Sequence, residues 1–411
     1  MHGLWPLASI PISSYLAISY ASAHRYHRAQ DWLIRLGGVM TGKEKQAEAS
    51  PPDTGREAKK AAVQGLRDSQ SIQGILPFAP DDYFEQANPL LRSGIFGPKR
   101  IKERYDEFVE IFSLGGGAIR YRGPRLNTQH ETVLLNLMQR ARGRSLTKPV
   151  SFQTIEALGW LDLKKAGKSY DKVNEIFNDL ADGRIEIAHR PAQRRLISLL
   201  TNKDLSKLPD AKFFRDYIQN TFGEQLEMLI KAEANNEVAP IGMSFITRIS
   251  ESPHGRRRLI NLDPIAALFL DGTNTAFLPV KIWQSSKYDY VDRRVLGYIN
   301  THRDGVFSHR LDKYHALVSA SYAYDAKGRS RFKSDMNKRL IRWEKDLLIE
   351  PGAAITLGAE DEWVLAGLKA GPELRYSSVE MALPPPDADD DLDEDEDDLP
   401  EEDAPQQGAL L

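Results

Sequence analysis

A narrow apolar stripe constrains this chain more than any other feature of its sequence. Phe332, Met336, Leu340, Trp343 and Leu347 are spaced 4, 4, 3 and 4 residues apart, which places them on one face of an α-helix over 331–348. Around the opposite face lie Arg331, Ser334, Lys338, Arg342 and Lys345. A helix of this kind docks by its stripe and leaves a basic, serine-bearing face outside. Such a face suits the DNA major groove, where Arg and Lys donate to guanine edges and Ser contacts several bases. The surroundings agree, because residues 281–349 hold 15 Lys and Arg against 8 Asp and Glu. Lys287, Arg293, Arg294, Arg303, Arg329 and Lys333 extend the expected basic surface.

The segments before and after this helix supply the rest of a DNA-binding module. Tyr290 to Thr301 reads as a helix carrying Val291, Val295, Tyr298 and Ile299, and Leu311 to Ala320 as a short one carrying Tyr314, Leu317 and Val318. A basic, flexible link is expected at Ala326–Ser330. Ala354–Leu357 and Trp363–Leu365 have the composition of two wing strands.

A second candidate of the same kind lies upstream. Val133, Leu134, Leu137, Met138 and Ala141 share a helical face, and Gly143 ends it. Ser151 caps a short helix bearing Thr154, Ile155 and Leu158, and Gly159 permits a tight turn. A longer helix follows from Gly167 to Asp182 with Tyr170, Val173, Ile176, Phe177 and Leu180 inward; Gly183 stops it, and Arg184–Ala188 alternates as a strand. This order fits a winged helix or, equally, another small α/β domain. Its outer face (Lys168, Asp171, Lys172, Glu175, Asn178) is mixed. Lys164, Lys165 and Lys168 at its start suit phosphate contact. Residues 191–240 read as an insertion with a helix from Ala211 to Ala234. Met243–Ser250 and Arg256–Leu262 would form the wing, with Arg256, Arg257 and Arg258 against the DNA backbone. Gly115–Gly117 reads as a hairpin turn.

Composition narrows the function further. The net charge of −3 hides 13 acidic and no basic residues from Pro384 onward, so residues 1–383 carry +10. A basic body with an acidic tail favours a nucleic-acid partner. The absence of cysteine excludes disulfides, thiolate metal sites and a cysteine nucleophile. Gly37, Gly42 and Lys43 imitate a phosphate loop, but Glu44 stands where a magnesium-binding hydroxyl is needed. Gly167-Lys168-Ser169 fails too, with Asp162 in place of the first glycine. The scattered histidines contain no H-E-x-x-H, which argues against a nicking enzyme. No catalytic residue, cofactor or metal is expected. Gly3–Tyr20 is interrupted by Pro6 and Pro11, against a membrane span, and Met40 is a plausible alternative start. The expected fold class is α+β. Its parts are a mostly disordered N-terminal region (1–87), a first winged-helix domain with its insertion (88–270), a second winged-helix domain (271–383) and an acidic disordered tail (384–411).

The order of several short pieces resembles the TrfA-type plasmid replication initiators. These are Gly123-x-x-Leu126; Phe152 with Leu158-Gly159-Trp160; Tyr170 through Leu180; Ile260 to Phe269; Trp283 with Lys287-Tyr288; Arg293-Arg294; Tyr298; Thr301-His302-Arg303; and Leu311. The long 191–240 segment and the acidic tail depart from the family pattern. The resemblance implies two winged-helix domains that bind double-stranded origin DNA at iteron repeats, in the bacterial cytoplasm. It further implies opening of an AT-rich segment with contact to single-stranded DNA, a monomer–dimer equilibrium, and recruitment of host DnaA and the replicative helicase. The alternative is a winged-helix transcriptional regulator.

Gln73-Gly-Ile-Leu76-Pro-Phe78 resembles the family's motif for the host DNA polymerase sliding clamp. Pro77 keeps the peptide extended, so Leu76 and Phe78 fall on one side and suit a single apolar pocket while Gln73 hydrogen-bonds nearby. Leu76→Ala with Phe78→Ala is expected to abolish clamp binding in surface plasmon resonance and leave the melting temperature unchanged. A lowered melting temperature with clamp binding retained would assign both residues to a core.

Overall fold

The computed structural model describes residues 81–376, apart from 99–102, 116, 143–147, 202–208, 252–256, 271–274, 303, 319–322, 324 and 359–360. It begins with strand β1 (Tyr83–Ala87), the one-turn helix α1 (Asn88–Leu91) and the hairpin of β2 (Arg104–Ile111) and β3 (Ile119–Pro124). The glycines expected at a turn do join β2 to β3, and Gly115 and Gly117 both have positive φ.

The first module follows as α2 (Thr128–Arg140), β4 (Val150–Phe152), α3 (Thr154–Trp160) and α4 (Gly167–Asp182). β5 (Arg184–Ala188), α5 (Arg190–Thr201), α6 (Pro209–Phe222), α7 (Leu226–Ala234) and β6 (Pro240–Ser244) form an excursion. The module closes with β7 (Ile246–Glu251) and β8 (Arg258–Leu262). β4, β8 and β7 make an antiparallel sheet in that order, with Val150 opposite Ile260 and Ile249 opposite Ile260 on the other side. Helix, strand, helix, helix and a two-stranded wing is the winged-helix topology. Asn127 caps α2 through its side chain, which accepts from the Gln129 N–H at 2.8 Å. Val173, Ile176, Phe177 and Leu180 of α4 are buried. Each contributes about 1.5–3 kcal/mol relative to exposure.

The excursion differs from the sequence expectation in three respects. The single helix expected at 211–234 is two helices separated by a 3₁₀ turn at Gly223–Gln225, and α5 precedes them. Strand Arg184–Ala188 belongs to a separate antiparallel sheet of order β2-β3-β5-β6. The strand expected over Met243–Ser250 is divided, because β6 pairs with β5 while β7 pairs with β8. Asp263 holds the chain at that division. Its carboxylate accepts from Ser244 N–H at 2.9 Å, Ile265 N–H at 3.0 Å and the Tyr217 hydroxyl at 3.2 Å. Burial pushes this carboxyl above the ordinary range, against those three donors.

β9 (Thr275–Pro279) and α8 (Val280–Trp283) lead into the second module. It consists of α9 (Tyr290–Asn300), β10 (His309–Arg310), α10 (Leu311–Leu317), α11 (Ala326–Lys345), β11 (Ala354–Leu357) and β12 (Trp363–Ala366). Its sheet has the order β10-β12-β11, so the winged-helix topology repeats and the two expected wing strands are present. The link expected at Ala326–Ser330 is instead the first turn of α11. Asp325 caps it, accepting from the Gly328 N–H at 2.6 Å. At the other end Leu347 leaves the apolar stripe: it lies at φ +57° and is 53 % exposed. Leu347 N–H bonds to the Glu344 carbonyl at 3.0 Å and Leu348 N–H to the Trp343 carbonyl at 2.8 Å, which is a Schellman closure. Leu348 is buried in its stead.

The two modules are interleaved. β1 lies in the segment expected to be disordered, yet it pairs with β9 from Tyr83 opposite Pro279 to Ala87 opposite Thr275. Phe84 and Leu91 pack into the second core, whereas Ala87 and Leu90 pack into the first. α2 serves both cores, with Val133, Leu134 and Leu137 on one and Leu135 on the other. Between α2 and α9, Glu131 and Arg294 form a salt bridge with both side chains 0 % exposed.

Breaking this pair leaves an uncompensated buried charge. Glu131→Ala or Arg294→Ala is therefore expected to lower stability by about 3–5 kcal/mol in urea denaturation, and Glu131→Leu with Arg294→Met to recover most of the loss. A single-variant cost below about 1 kcal/mol would show that the pair is solvated.

Candidate nucleic-acid interface

α11 docks as its stripe requires, with Phe332, Met336, Leu340 and Trp343 buried. Arg331, Ser334, Asn337, Lys338 and Lys345 are exposed on the outer face. Arg331 and Lys338 lie 3.8 and 3.7 Å from Asp335. Pairs this exposed contribute little, so both cations remain available to an anionic ligand. Ile341 on the same face is 71 % exposed. It lies a turn beyond Lys338 and off the stripe, so helical spacing alone does not mark it. Lys333 turns toward the wing, its ammonium 2.7 Å from the ring centre of Trp363 in β12. Arg329 lies 4.0 Å from Asp312.

Other residues expected to contact DNA are committed within the protein. Arg342 donates to Oδ1 of Asp292 on α9, and so do Arg339 at 2.5 Å and the Trp343 indole N–H at 3.0 Å. Asp292 is fully buried. Arg339 also spans Asp289 with bonds of 2.9 and 2.7 Å. Burial alone would raise the Asp289 carboxyl, but the Arg339 hydrogen bonds and the backbone donors hold it below the ordinary carboxylate range. Arg342 therefore fastens α11 to α9 and is removed from the outer face. Arg294 is likewise removed by its burial against Glu131. Arg293, by contrast, is half-buried, forms no salt bridge among the described residues and donates to Thr132 Oγ1 at 3.3 Å. Lys287 pairs with Asp346 at 2.6 Å beside the Tyr288 ring, and that carboxylate raises the lysine's pKa.

In the first module Lys164, Lys165 and Lys168 are exposed at the turn into α4, and Lys172 is half-buried one turn along it. Arg257 is exposed. Arg258 is drawn inward: it pairs with Glu251 at 2.6 Å and donates to Asn174 Oδ1 on α4 at 2.9 Å. It thus ties the wing to the helix. Arg256, Arg303, the motif residues Gln73, Leu76 and Phe78, and the acidic tail lie outside the described residues. Among the described residues no cluster of His, Asp and Glu could hold a metal ion, and no helix is long and apolar enough to cross a membrane.

No protein-family profile matches the sequence, and no curated protein matches it. Solved structures with a remote likeness exist. Domains 2 and 3 of RctB, as a selenomethionine derivative, share 10 % identity over 69 % of this chain and 96 % of that one, with a TM-score of 0.35. A further RctB domain 2–3 structure shares 13 % identity over 65 % and 85 %, at a TM-score of 0.34. The Pi initiator protein in complex with iteron DNA shares 11 % identity over 70 % and 96 %, at a TM-score of 0.39. The winged-helix topology of both modules stands on the strand order and register of this chain.

Arg342 and Lys338 should respond in opposite ways to truncation. Arg342→Ala is expected to cost about 1.5–3 kcal/mol of stability through a lost charged hydrogen bond, with base preference unchanged. Lys338→Ala is expected to change stability by less than about 0.5 kcal/mol and to weaken binding to a preferred duplex. Chemical denaturation and fluorescence anisotropy measure the two effects. A relaxed base preference in Arg342→Ala with stability intact would return Arg342 to the outer face.

Proposed function

We propose that this chain is a plasmid replication initiator that binds iteron repeats at an origin, promotes opening of an AT-rich segment and recruits the host replication machinery. One observation carries the reading: a single chain fixes two winged helices to each other through a buried ion pair, and the second presents a 20-residue helix with an uncovered basic and serine face. Two modules held in one relative position suit a composite duplex site spanning successive grooves. Lys164, Lys165, Lys168 and Arg257 supply phosphate contacts from the first module, while Arg331, Ser334 and Lys338 read bases from the second. The role is one of binding and assembly, in the bacterial cytoplasm. Host partners are the sliding clamp, engaged through Gln73, Leu76 and Phe78, then DnaA and the replicative helicase. Self-association is part of the same scheme.

Selection of duplexes from a random pool tests the proposal. Expected are a preferred sequence that recurs as direct repeats near the gene, and permanganate reactivity of an adjacent AT-rich stretch. Sequence-specific binding without any opening would identify a transcriptional regulator. Each neutralised phosphate contributes roughly −0.9 to the slope of log K against log salt. Lys164→Ala, Lys165→Ala and Lys168→Ala together should therefore flatten the slope and keep the preferred sequence. An unchanged slope would place these lysines away from the backbone.

A further inference from the structure

The junction between the modules contains a cleft of about 400 Å³ that the sequence did not reveal. Its first wall comes from the first module: Thr128 and Gln129 at the start of α2, the turn Trp160–Leu163, and Lys172 on α4. The facing wall comes from the second: Gln284, Ser286 and Arg293. Among the described residues neither Lys172 nor Arg293 forms a salt bridge. The nearby carboxylates are engaged elsewhere, Glu131 with Arg294 and Asp289 and Asp292 with Arg339. Asp162 is the one carboxylate in the lining, and it is exposed. Burial lowers the pKa of the half-buried Arg293 guanidinium, which Glu131, Asp289 and Asp292 attract only at a distance, their hydrogen bonds going to other arginines. An anion supplying oxygen acceptors would satisfy it, and the Lys172 ammonium would contribute the second charge.

We propose that this cleft seats one phosphate group of the bound duplex, at the step where the DNA backbone passes from one module to the other. The inference rests on the DNA-binding reading above. In helix-turn-helix docking the first helix crosses the sugar–phosphate backbone while the recognition helix enters the groove. α2 and α9 are the first helices of the two modules, and the cleft lies at the N-terminal end of each. A phosphate gripped there from both sides fixes the spacing between the half-sites read by α4 and α11. The seat therefore measures DNA geometry and carries no base information of its own.

A methylphosphonate scan of the duplex selected by the wild-type protein tests this. In each duplex a neutral methyl replaces one charged phosphate oxygen. Wild-type protein is expected to lose about tenfold in affinity, one charge-assisted hydrogen bond's worth, at one backbone position between the half-sites. Arg293→Gln should bind the unmodified duplex about as much more weakly, lose nothing further at that position, and keep the preferred sequence. Its salt slope should fall by roughly 0.9. Lys172→Gln, at an exposed edge of the cleft, repeats the test should Arg293→Gln fail to fold. Undiminished sensitivity at that position in both variants, or wild-type affinity and slope in both, overturns the seat while leaving sequence-specific binding intact. Titration of inorganic phosphate by calorimetry distinguishes the source. Saturable binding lost in Arg293→Gln, with no sensitive backbone position, would make the ligand a free phosphate and overturn the DNA assignment. If wild-type protein selects no duplex, the DNA-binding reading fails and the seat fails with it.

Discussion

The Glu131–Arg294 ion pair is the constraint on which the rest of the architecture depends. It joins the first helices of two winged helices at a point from which water is excluded. Its net contribution to stability is small, because desolvating two charges offsets most of their attraction. Its effect lies in geometry. Separating the two side chains would leave a buried charge without its partner, which holds α2 against α9. Around it sit contacts that would be weak alone: Arg293 with Thr132, Gln284 with Asn136 at 3.4 Å, and the β1–β9 ribbon. Once the pair fixes the orientation, these add to it without an entropy cost of their own. The helices α4 and α11 are then held in one relative position.

Asp292 plays the corresponding part inside the second module. One carboxylate at the first turn of α9 takes donors from Arg339, Arg342 and Trp343 on α11. It therefore sets the roll of α11 about its own axis. That roll decides which basic residues face out. Arg331, Ser334 and Lys338 remain on the solvent side, and Arg342, a short way round the helix, turns in.

This explains how far the candidate interface was legible in the sequence. The stripe Phe332, Met336, Leu340, Trp343 and Leu347 identified α11 and, apart from Leu347, its buried face, because helical spacing is a local property. The fate of Arg342 was not local: its partner Asp292 lies 50 residues earlier, and nothing in the spacing distinguishes a border arginine that meets a carboxylate from one that meets solvent. Arg293-Arg294 shows the same limit more sharply. Adjacent in sequence, the two point 100° apart on a helix, so one is buried against Glu131 while the other borders a cleft. The fold shows a parallel division. Helices with clear stripes and the two wings were legible, but the division of strand 243–250 was not. That division depends on Asp263, whose carboxylate ties Ser244 to Ile265 across the chain. Strand β1 was missed because five residues of mixed character become a strand only when β9 lies beside them.

The basic residues thus separate into two populations with different physical roles. Arg294, Arg339 and Arg342 have carboxylate partners that hold module to module and helix to helix, while Arg258 pairs with Glu251 across the wing and reaches Asn174 on α4. Charges spent in this way are neutralised and add almost nothing to the field outside. Lys164, Lys165, Lys168, Arg331, Lys338 and Lys345 are exposed around the two recognition helices. The positive potential available to a polyanion comes from this second group. On α11 its placement follows from the first, since Arg339 and Arg342 fix the rotation of the helix that carries Arg331, Lys338 and Lys345. An excess of positive charge in the sequence is therefore a measure of the outward field only after the paired arginines have been set aside.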